Sequence, residues 1–497
     1  MPHSRRDGAM MKQISFRTSA RGTLFLCAPF FLSLAACGGS GSNGSGGGAT
    51  TTTQTFVAGD WTWIDGSNQA NPSGVYGTKG VASATAVPGG RTDSAAWKDS
   101  SGNLWLFSGN VFDSGYPSNG LIDPNDLWEY NPTTNEWAFM GGNNAACTMS
   151  GPTCTFSWPG AYGVQGAAAA GNLPGGRSQA TTWTDAGGNF WLFGGVGFDS
   201  TLQESALNDL WKFSPATGQW TWVSGANALN QTGVYGTMGT ASAANAPGSR
   251  YGAAGWTDQS GNLWLFGGYG YGSAVGAGEL NDLWKFSPST QQWTWVGGAD
   301  TVDAAGNYGT MGTPDPANFP GARYSAASWV DSTGNFWLYG GFAPPPGGGL
   351  GDLWEFNVST KSWTWVGGSI SPGAGSVYGT EGTPSTANTP GFREAPVTWT
   401  DGGGNFWLFG GNDRNDLWEF SPAAKTWTWV SGSDTGGSAD VYGTQGVASA
   451  SNVPGPHDGA VGWTDSSGRI WLFGGGDAPI SGTLNFGVRN DLSVYVP

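Results

Sequence analysis

Four short patterns of apolar and polar positions cycle along the chain in a fixed order. The most uniform is apolar at every place: LWLF at 104–107 and 263–266, FWLF at 190–193 and 406–409, FWLY at 336–339 and IWLF at 470–473. A strand of that kind is buried on both faces. A second pattern alternates, as WTW at 61–63, 220–222, 293–295, 363–365 and 427–429, with WAF at 137–139. Period-two alternation predicts an outer strand with one dry and one wetter face. The third pattern is DLWEY at 126, DLWKF at 209 and 282, DLWEF at 352 and 416, and DLSVY at 491. The fourth leads from Pro-Gly to a Trp, as PGGRTDSAAW at 88–97, PGSRYGAAGW at 247–256 and PGPHDGAVGW at 454–463. Turns of hairpin length, such as TDQSGN at 257–262 and SPSTQQ at 287–292, link these patterns.

In chain order a unit reads Pro-Gly-Arg strand, all-apolar strand, DLW strand, WTW strand. Each pattern occurs six times, but the WTW pattern appears once before any Pro-Gly-Arg and is missing after the last DLSVY. The counts balance if Trp61–Trp63 completes the unit that holds His457. The expectation is therefore all-β: six four-stranded units in a ring, the last completed by the N-terminal strand. Ring closure is how a propeller removes its open sheet edges.

The Gly-Gly after the second strand and the Trp of the fourth resemble the kelch family, whose propellers include the central domain of galactose oxidase. The resemblance covers residues 57–497 and implies a six-bladed kelch-type β-propeller. Successive units start 64 to 86 residues apart, against about 50 in kelch repeats, and the excess lies in the long connections from fourth to first strand. The copper site of the galactose oxidases needs His and Tyr ligands. Beyond the N-terminal leader described next, the one histidine is His457. No cofactor or metal is expected.

Composition adds a compartment. Arg17 and Arg21 precede the apolar run Thr23–Leu34, which ends in Leu-Ala-Ala-Cys at 34–37. That order is a charged region, a short hydrophobic region and a small-residue cleavage site. It resembles a bacterial lipobox, which implies lipidation of Cys37. The reading is a signal peptide at 1–36, a Gly/Ser/Thr-rich tether at 37–56 and a lipid-anchored, exported protein at the cell envelope. Without residues 1–36 the chain carries 14 Lys and Arg against 34 Asp and Glu, a net charge of −20. Such a surface repels nucleic acid. Cys147 and Cys154, close together in an exported chain, are expected to form a local disulfide. Glycine is abundant at 88 residues, yet 29 tryptophans argue against a disordered chain.

Candidate chemistry sits on one rim, where first strands start, second strands end and third strands start. Arg91, Arg177, Arg250, Arg323, Arg393 and His457 share one repeat position, and Asp126, Asp209, Asp282, Asp352, Asp416 and Asp491 another. The two strands concerned lie roughly 9.6 Å apart, within reach of an arginine passing over Gly-Gly. These residues form either a repeated ion pair or a ligand-binding ring. Tyr76, Tyr162, Tyr235, Tyr308, Tyr378 and Tyr442, one in each long connection, either pack that connection or stack on a glycan. Variable loops on a rigid scaffold favour binding, so the expected function is non-catalytic binding of a protein or polysaccharide by a monomer. The alternative is a carbohydrate-active enzyme such as a sugar mutarotase, with Glu204, Glu279, Glu381 and Glu394 as candidate acids.

Overall fold

The computed structural model describes residues 54, 56–112, 121–143, 148–150, 153–155, 158–200, 203–476 and 487–497. Cys37, the leader and most of the tether lie outside them. So do Cys147 and the side chain of Cys154, and with them the expected disulfide. Among the described residues the structure is all-β, with no helix.

The strands gather into small antiparallel sheets. Four of these have four strands in the order of the sequence unit, and two more carry the same four with one short extra strand. Unit 3 is representative: Ala254–Thr257 pairs with Leu263–Tyr271, which pairs with Ala277–Ser287, which pairs with Gln292–Gly297. In the sheet of unit 6 the outermost place is taken by Trp61–Asp65. It lies antiparallel to Leu492–Tyr495, with Trp61 opposite Tyr495 and Trp63 opposite Ser493. The second strands, such as Phe190–Phe193 and Phe406–Phe409, are buried at all four positions.

The core lies between sheets rather than within any of them. Each hydrophobic cluster joins two successive units, as where Trp97, Trp105 and Phe107 of unit 1 meet Phe190, Trp211 and Trp220 of unit 2. A further cluster joins unit 6 to unit 1 through Trp471, Leu492, Leu104 and Trp128. Flat stacking accompanies this packing, with Trp256 and Phe336 at 5.1 Å and 2°. First-strand indoles add a polar link. Trp97 Nε1 donates to the Trp191 carbonyl, Trp183 to Trp264, Trp256 to Trp337, Trp329 to Trp407 and Trp399 to Trp471, at 3.0–3.3 Å. Trp463 of unit 6 donates to the Trp97 carbonyl of unit 1 at 3.0 Å. A buried indole N–H needs such an acceptor.

The fourth strands differ from their expected pattern. Their first Trp is buried and their second is half-buried, but the Thr between is also buried in Thr62, Thr221, Thr294 and Thr364. The long connection that leads into each unit explains this, because it runs along the outer strand of that unit. Gly239 N–H donates to the Trp295 carbonyl, and Asn245 Nδ2 donates to that of Trp293. Gly446 and Asn452 do the same on Trp63 and Trp61. An exposed sheet edge invites aggregation, and these connections cover it. At the other end of the units, an aspartate after each first strand ties the turn. Asp258 Oδ1 accepts two backbone N–H groups and Oδ2 the indole of Trp264 at 2.8 Å.

If the N-terminal strand is an integral part of the unit 6 sheet, Trp61→Ala will cost as much as an interior truncation such as Trp293→Ala. Each is expected to lose about 3–5 kcal/mol, measured by denaturant unfolding. A loss below about 1 kcal/mol at Trp61 alone would mean that the strand is dispensable.

Candidate functional site

Each rim arginine is 0–1% exposed, so every N–H of its guanidinium needs an acceptor. In unit 3, Arg250 Nη1 and Nη2 donate to the two oxygens of Asp282 at 2.6 and 2.8 Å. Nη1 also donates to the Gly267 carbonyl at 3.0 Å, and Nε to that of Gly248 at 3.1 Å. Positive φ values of 66° and 96° at Gly267 and Gly268 shape the turn beneath it, a region that favours glycine. Asp282 further accepts the Trp284 indole at 2.7 Å and the Tyr235 hydroxyl at 2.6 Å. The same set recurs at Arg91–Asp126–Tyr76–Trp128, Arg177–Asp209–Tyr162–Trp211 and Arg323–Asp352–Tyr308–Trp354. Burial opposes the charge on these arginines, but the aspartates outweigh it and hold their pKa above the usual value.

These tyrosines are therefore not free platforms for a sugar. Tyr162 and Tyr235 are 6% exposed. Tyr76, Tyr308 and Tyr378 are half-buried, with their hydroxyls on Asp126, Asp352 and Asp416. Their rings pack on tryptophan, as Tyr162 does on Trp211 and Trp222 at 5.0 and 5.1 Å. The arginines likewise turn into the protein, away from any ligand at the rim.

Units 5 and 6 depart from the set. In unit 5 only Nη2 of Arg393 reaches Asp416, and Arg393 Nε and Asp416 Oδ1 have no hydrogen-bond partner among the described residues. Gly391 adopts φ 74°, unlike the equivalent Gly89, Gly175, Gly248 and Gly321, and in unit 4 the second strand ends in Tyr339 rather than Phe. Its hydroxyl donates to the Gly391 carbonyl, the acceptor that corresponds to Gly248 for Arg250. In unit 6, His457 Nδ1 meets the Gly474 carbonyl, while Nε2 lies 3.1 Å from Asp440 and 3.9 Å from Asp491. Arg489 binds Asp440 at 2.6 Å and donates to the Tyr442 hydroxyl at 3.3 Å. Ser493 stands where other units have Trp, and neither oxygen of Asp491 has a hydrogen-bond partner among the described residues. Burial raises Asp491 to about 6 against the opposing charge of His457. Burial also opposes charge on His457, yet Asp491 and Asp440 lift it to about 9.

A different set of residues converges inside the rim. Two positions after each repeat Arg or His, the backbone adopts positive φ: Asp93, Gln179, Gly252, Ser325, Ala395 and Gly459 at 50–67°. Their amides link unit to unit. Gln179 N–H donates to the Asp93 carbonyl, Gly252 to Gln179, Ser325 to Gly252, Ala395 to Ser325, and Asp93 to Gly459, at 2.7–3.0 Å. This collar borders a cavity of about 190 Å³, lined also by Ser94, Ala180, Ala253, Ala326, Pro396 and Ala460. A second cavity of about 430 Å³ lies among the first strands, at Thr182, Gly255, Ser328 and Thr398.

One residue before the collar, the same backbone position carries Thr92, Ser178, Tyr251, Tyr324, Glu394 and Asp458. The rings of Tyr251, Tyr269 and Tyr324 lie 5.3–6.3 Å apart. Burial, the Tyr269 hydroxyl, Glu279 and Glu394 push Tyr251 up to about 12. Burial raises Asp93 to about 6. Burial, then Asp413, Glu394 and Asp93, raise Asp458 to about 7 against an amide bond from Asp413. Asp123 is 5% exposed, its Oδ1 has no hydrogen-bond partner among the described residues, and burial, Glu204 and Asp93 hold its carboxyl well above the usual value. Of the four glutamates singled out in the sequence, Glu204, Glu279 and Glu394 belong to this group. Glu381 is exposed on the outer connection of unit 5, beside Gly382, whose amide meets Trp429. Among the described residues no three His, Cys, Asp or Glu are placed to share a metal ion.

No family model matches the chain, and no curated protein matches it either.

Two outcomes follow from the rim. Asp282→Asn leaves Arg250 buried without its counter-charge and is expected to cost about 3–5 kcal/mol in denaturant unfolding. His457 has a folded pKa of about 9 against 6.5 unfolded. Its contribution is full below pH 6.5 and is lost as pH rises through 9, on the order of 3 kcal/mol. Melting curves of wild type and His457→Arg between pH 6 and 10 check this. The arginine variant is expected to lack that alkaline decline, and a wild type that keeps its melting temperature across the range would contradict the assignment.

Proposed function

We propose that residues 57–497 form a six-bladed kelch-type β-propeller completed by its N-terminal strand. In this reading the propeller belongs to an exported lipoprotein anchored through Cys37, and it binds a protein or glycan at the arginine-bearing rim without catalysis. The pairing of Trp61–Asp65 with Leu492–Tyr495 supports the closure, as does the indole link from Trp463 to Trp97. The lipobox-like Leu-Ala-Ala-Cys supports the anchor.

The observation that carries the binding reading is the convergence of unlike side chains on one mouth. Scaffold positions repeat because each does the same packing work in every unit. The position before the collar carries three different chemistries, hydroxyl, phenol and carboxyl, in different units, and some of those side chains act on one another across units. Glu394 of unit 5 bears on Tyr251 of unit 3 and Asp458 of unit 6. Collar residues such as Ala395, at φ 50°, sit in a strained region that clusters at functional sites.

The alternative, a sugar mutarotase, has the carboxylates it needs in Glu394 and Asp458. Polarimetry separates the two readings. The full chain is expected to leave the anomeric exchange of galactose and glucose at the buffer rate, while a glycan or protein partner binds and is lost in a Tyr251→Ala variant. Acceleration of the exchange that disappears in Glu394→Gln would establish the enzyme instead. Incorporation of labelled palmitate, abolished in Cys37→Ala, tests the anchor.

A further inference from the structure

The first strands of successive units lie side by side, and that of unit 6 lies beside that of unit 1. Each is paired with a strand of its own sheet on one edge only. Period-two alternation sorts their side chains. Trp183, Trp256, Trp329 and Trp399 are buried in the clusters between units, with their indole N–H groups committed to neighbouring carbonyls. Thr182, Thr184, Thr257, Ser328, Thr398 and Thr400 flank them in sequence, are half-buried, and line the cavity of about 430 Å³. None of these six hydroxyls has a hydrogen-bond partner among the described residues. Other hydroxyls of the same strands are bonded: Thr181 Oγ1 donates to the Ala253 carbonyl at 3.1 Å, and Thr464 Oγ1 to that of Thr400 at 3.4 Å. Units 1 and 6 differ, with Ala96 and Gly462 where unit 2 has Thr182. There Lys98 Nζ donates to the Thr464 carbonyl at 2.6 Å. The six unbonded hydroxyls therefore belong to units 2 to 5 and line one space.

We infer that this space binds a short neutral saccharide, whose hydroxyls exchange hydrogen bonds with those six side chains. Its volume lies within the roughly 300–1,000 Å³ of small-molecule sites. The lining holds no ionisable side chain, so a charged ligand would lose hydration without gaining a counter-charge. An apolar ligand would strip water from the hydroxyls and leave them without partners. A hydroxyl both donates and accepts, so a sugar hydroxyl reproduces the bonds of the water it displaces. The site shares no lining residue with the cavity at the collar. It goes beyond the rim-binding reading and does not depend on it.

Calorimetric titration of the full chain with maltotriose and with cellotriose tests the inference. At least one of the two is expected to bind saturably. The Thr182→Val, Thr398→Val double variant keeps shape and β-branching but removes two hydroxyls, and should weaken binding about tenfold or more. Its melting temperature should match the wild type, since neither hydroxyl has a protein partner to lose. The Thr182→Ser, Thr398→Ser pair retains both hydroxyls and should bind within about threefold of the wild type. Ser328→Ala, a smaller change, should cost about threefold by itself. Thr237→Val with Thr310→Val removes two exposed hydroxyls of the outer connections and should change affinity less than about twofold. No saturable binding of either sugar would mean that the space holds water only, and overturns the inference. Binding that survives both the valine pair and Ser328→Ala overturns it too. If that binding is lost in Tyr251→Ala, the sugar sits at the rim and the rim-binding reading stands.

Discussion

A guanidinium sealed from water is tolerated only when all its donors and its charge are met. Arg91, Arg177, Arg250 and Arg323 each sit at 1% exposure with a two-pronged carboxylate and two backbone carbonyls. The rest of each unit is organised around that demand. The carboxylate comes from the start of the third strand, one carbonyl from the glycine turn after the second, and the other from two residues before the arginine. Pro-Gly-Arg, Gly-Gly and Asp-Leu-Trp are thus parts of one device rather than three motifs. The tyrosine of the incoming connection and the tryptophan two residues on then saturate the aspartate from its other side.

The exceptions show how tightly the device is balanced. In unit 5 the Tyr339 hydroxyl donates to the Gly391 carbonyl, Gly391 turns to φ 74°, and Arg393 keeps one prong on Asp416. In unit 6, where arginine and tryptophan are both absent, Asp491 has no hydrogen-bond partner among the described residues, and Asp440 and Arg489 cluster around His457. That unit is also the one assembled from both ends of the chain. Its stability therefore depends on a titrating side chain, where the other units use a permanently charged one.

Apolar burial follows the same logic of shared surfaces. Since each hydrophobic cluster spans two sheets, no sheet holds a core of its own, and a unit is stable only between neighbours. The long connections extend this outward by covering the fourth strands and bringing their tyrosines to the rim. Their length, which sets the 64 to 86 residue spacing, is needed to reach along an entire outer strand. Against this repetitive frame the position before the collar is asymmetric, with tyrosine in units 3 and 4 and carboxyls in units 5 and 6. Burying like charges together opposes folding, so the frame must hold them in place.

Strand order, strand character and the Arg–Asp pairing were legible in the sequence, because a physical task repeated in space repeats its residues. The apolar quartets read directly as buried strands, and the offset count of Trp61–Trp63 pointed to the sheet of unit 6. The tyrosines were visible as a repeat but not as buried donors, since Tyr235 meets Asp282 47 residues away. The wetter face expected for the fourth strands failed for a related reason: the connection that covers Thr294 gives no periodic signal. Of the mouth, only Glu204, Glu279 and Glu394 could be named in advance, as isolated acids. Asp93, Asp123, Asp458 and Tyr251 went unremarked because each looks ordinary in its own unit. Local pattern determines which residues form strands and which positions share a role. The meeting of side chains from several units is decided only by how the sheets are placed around one another.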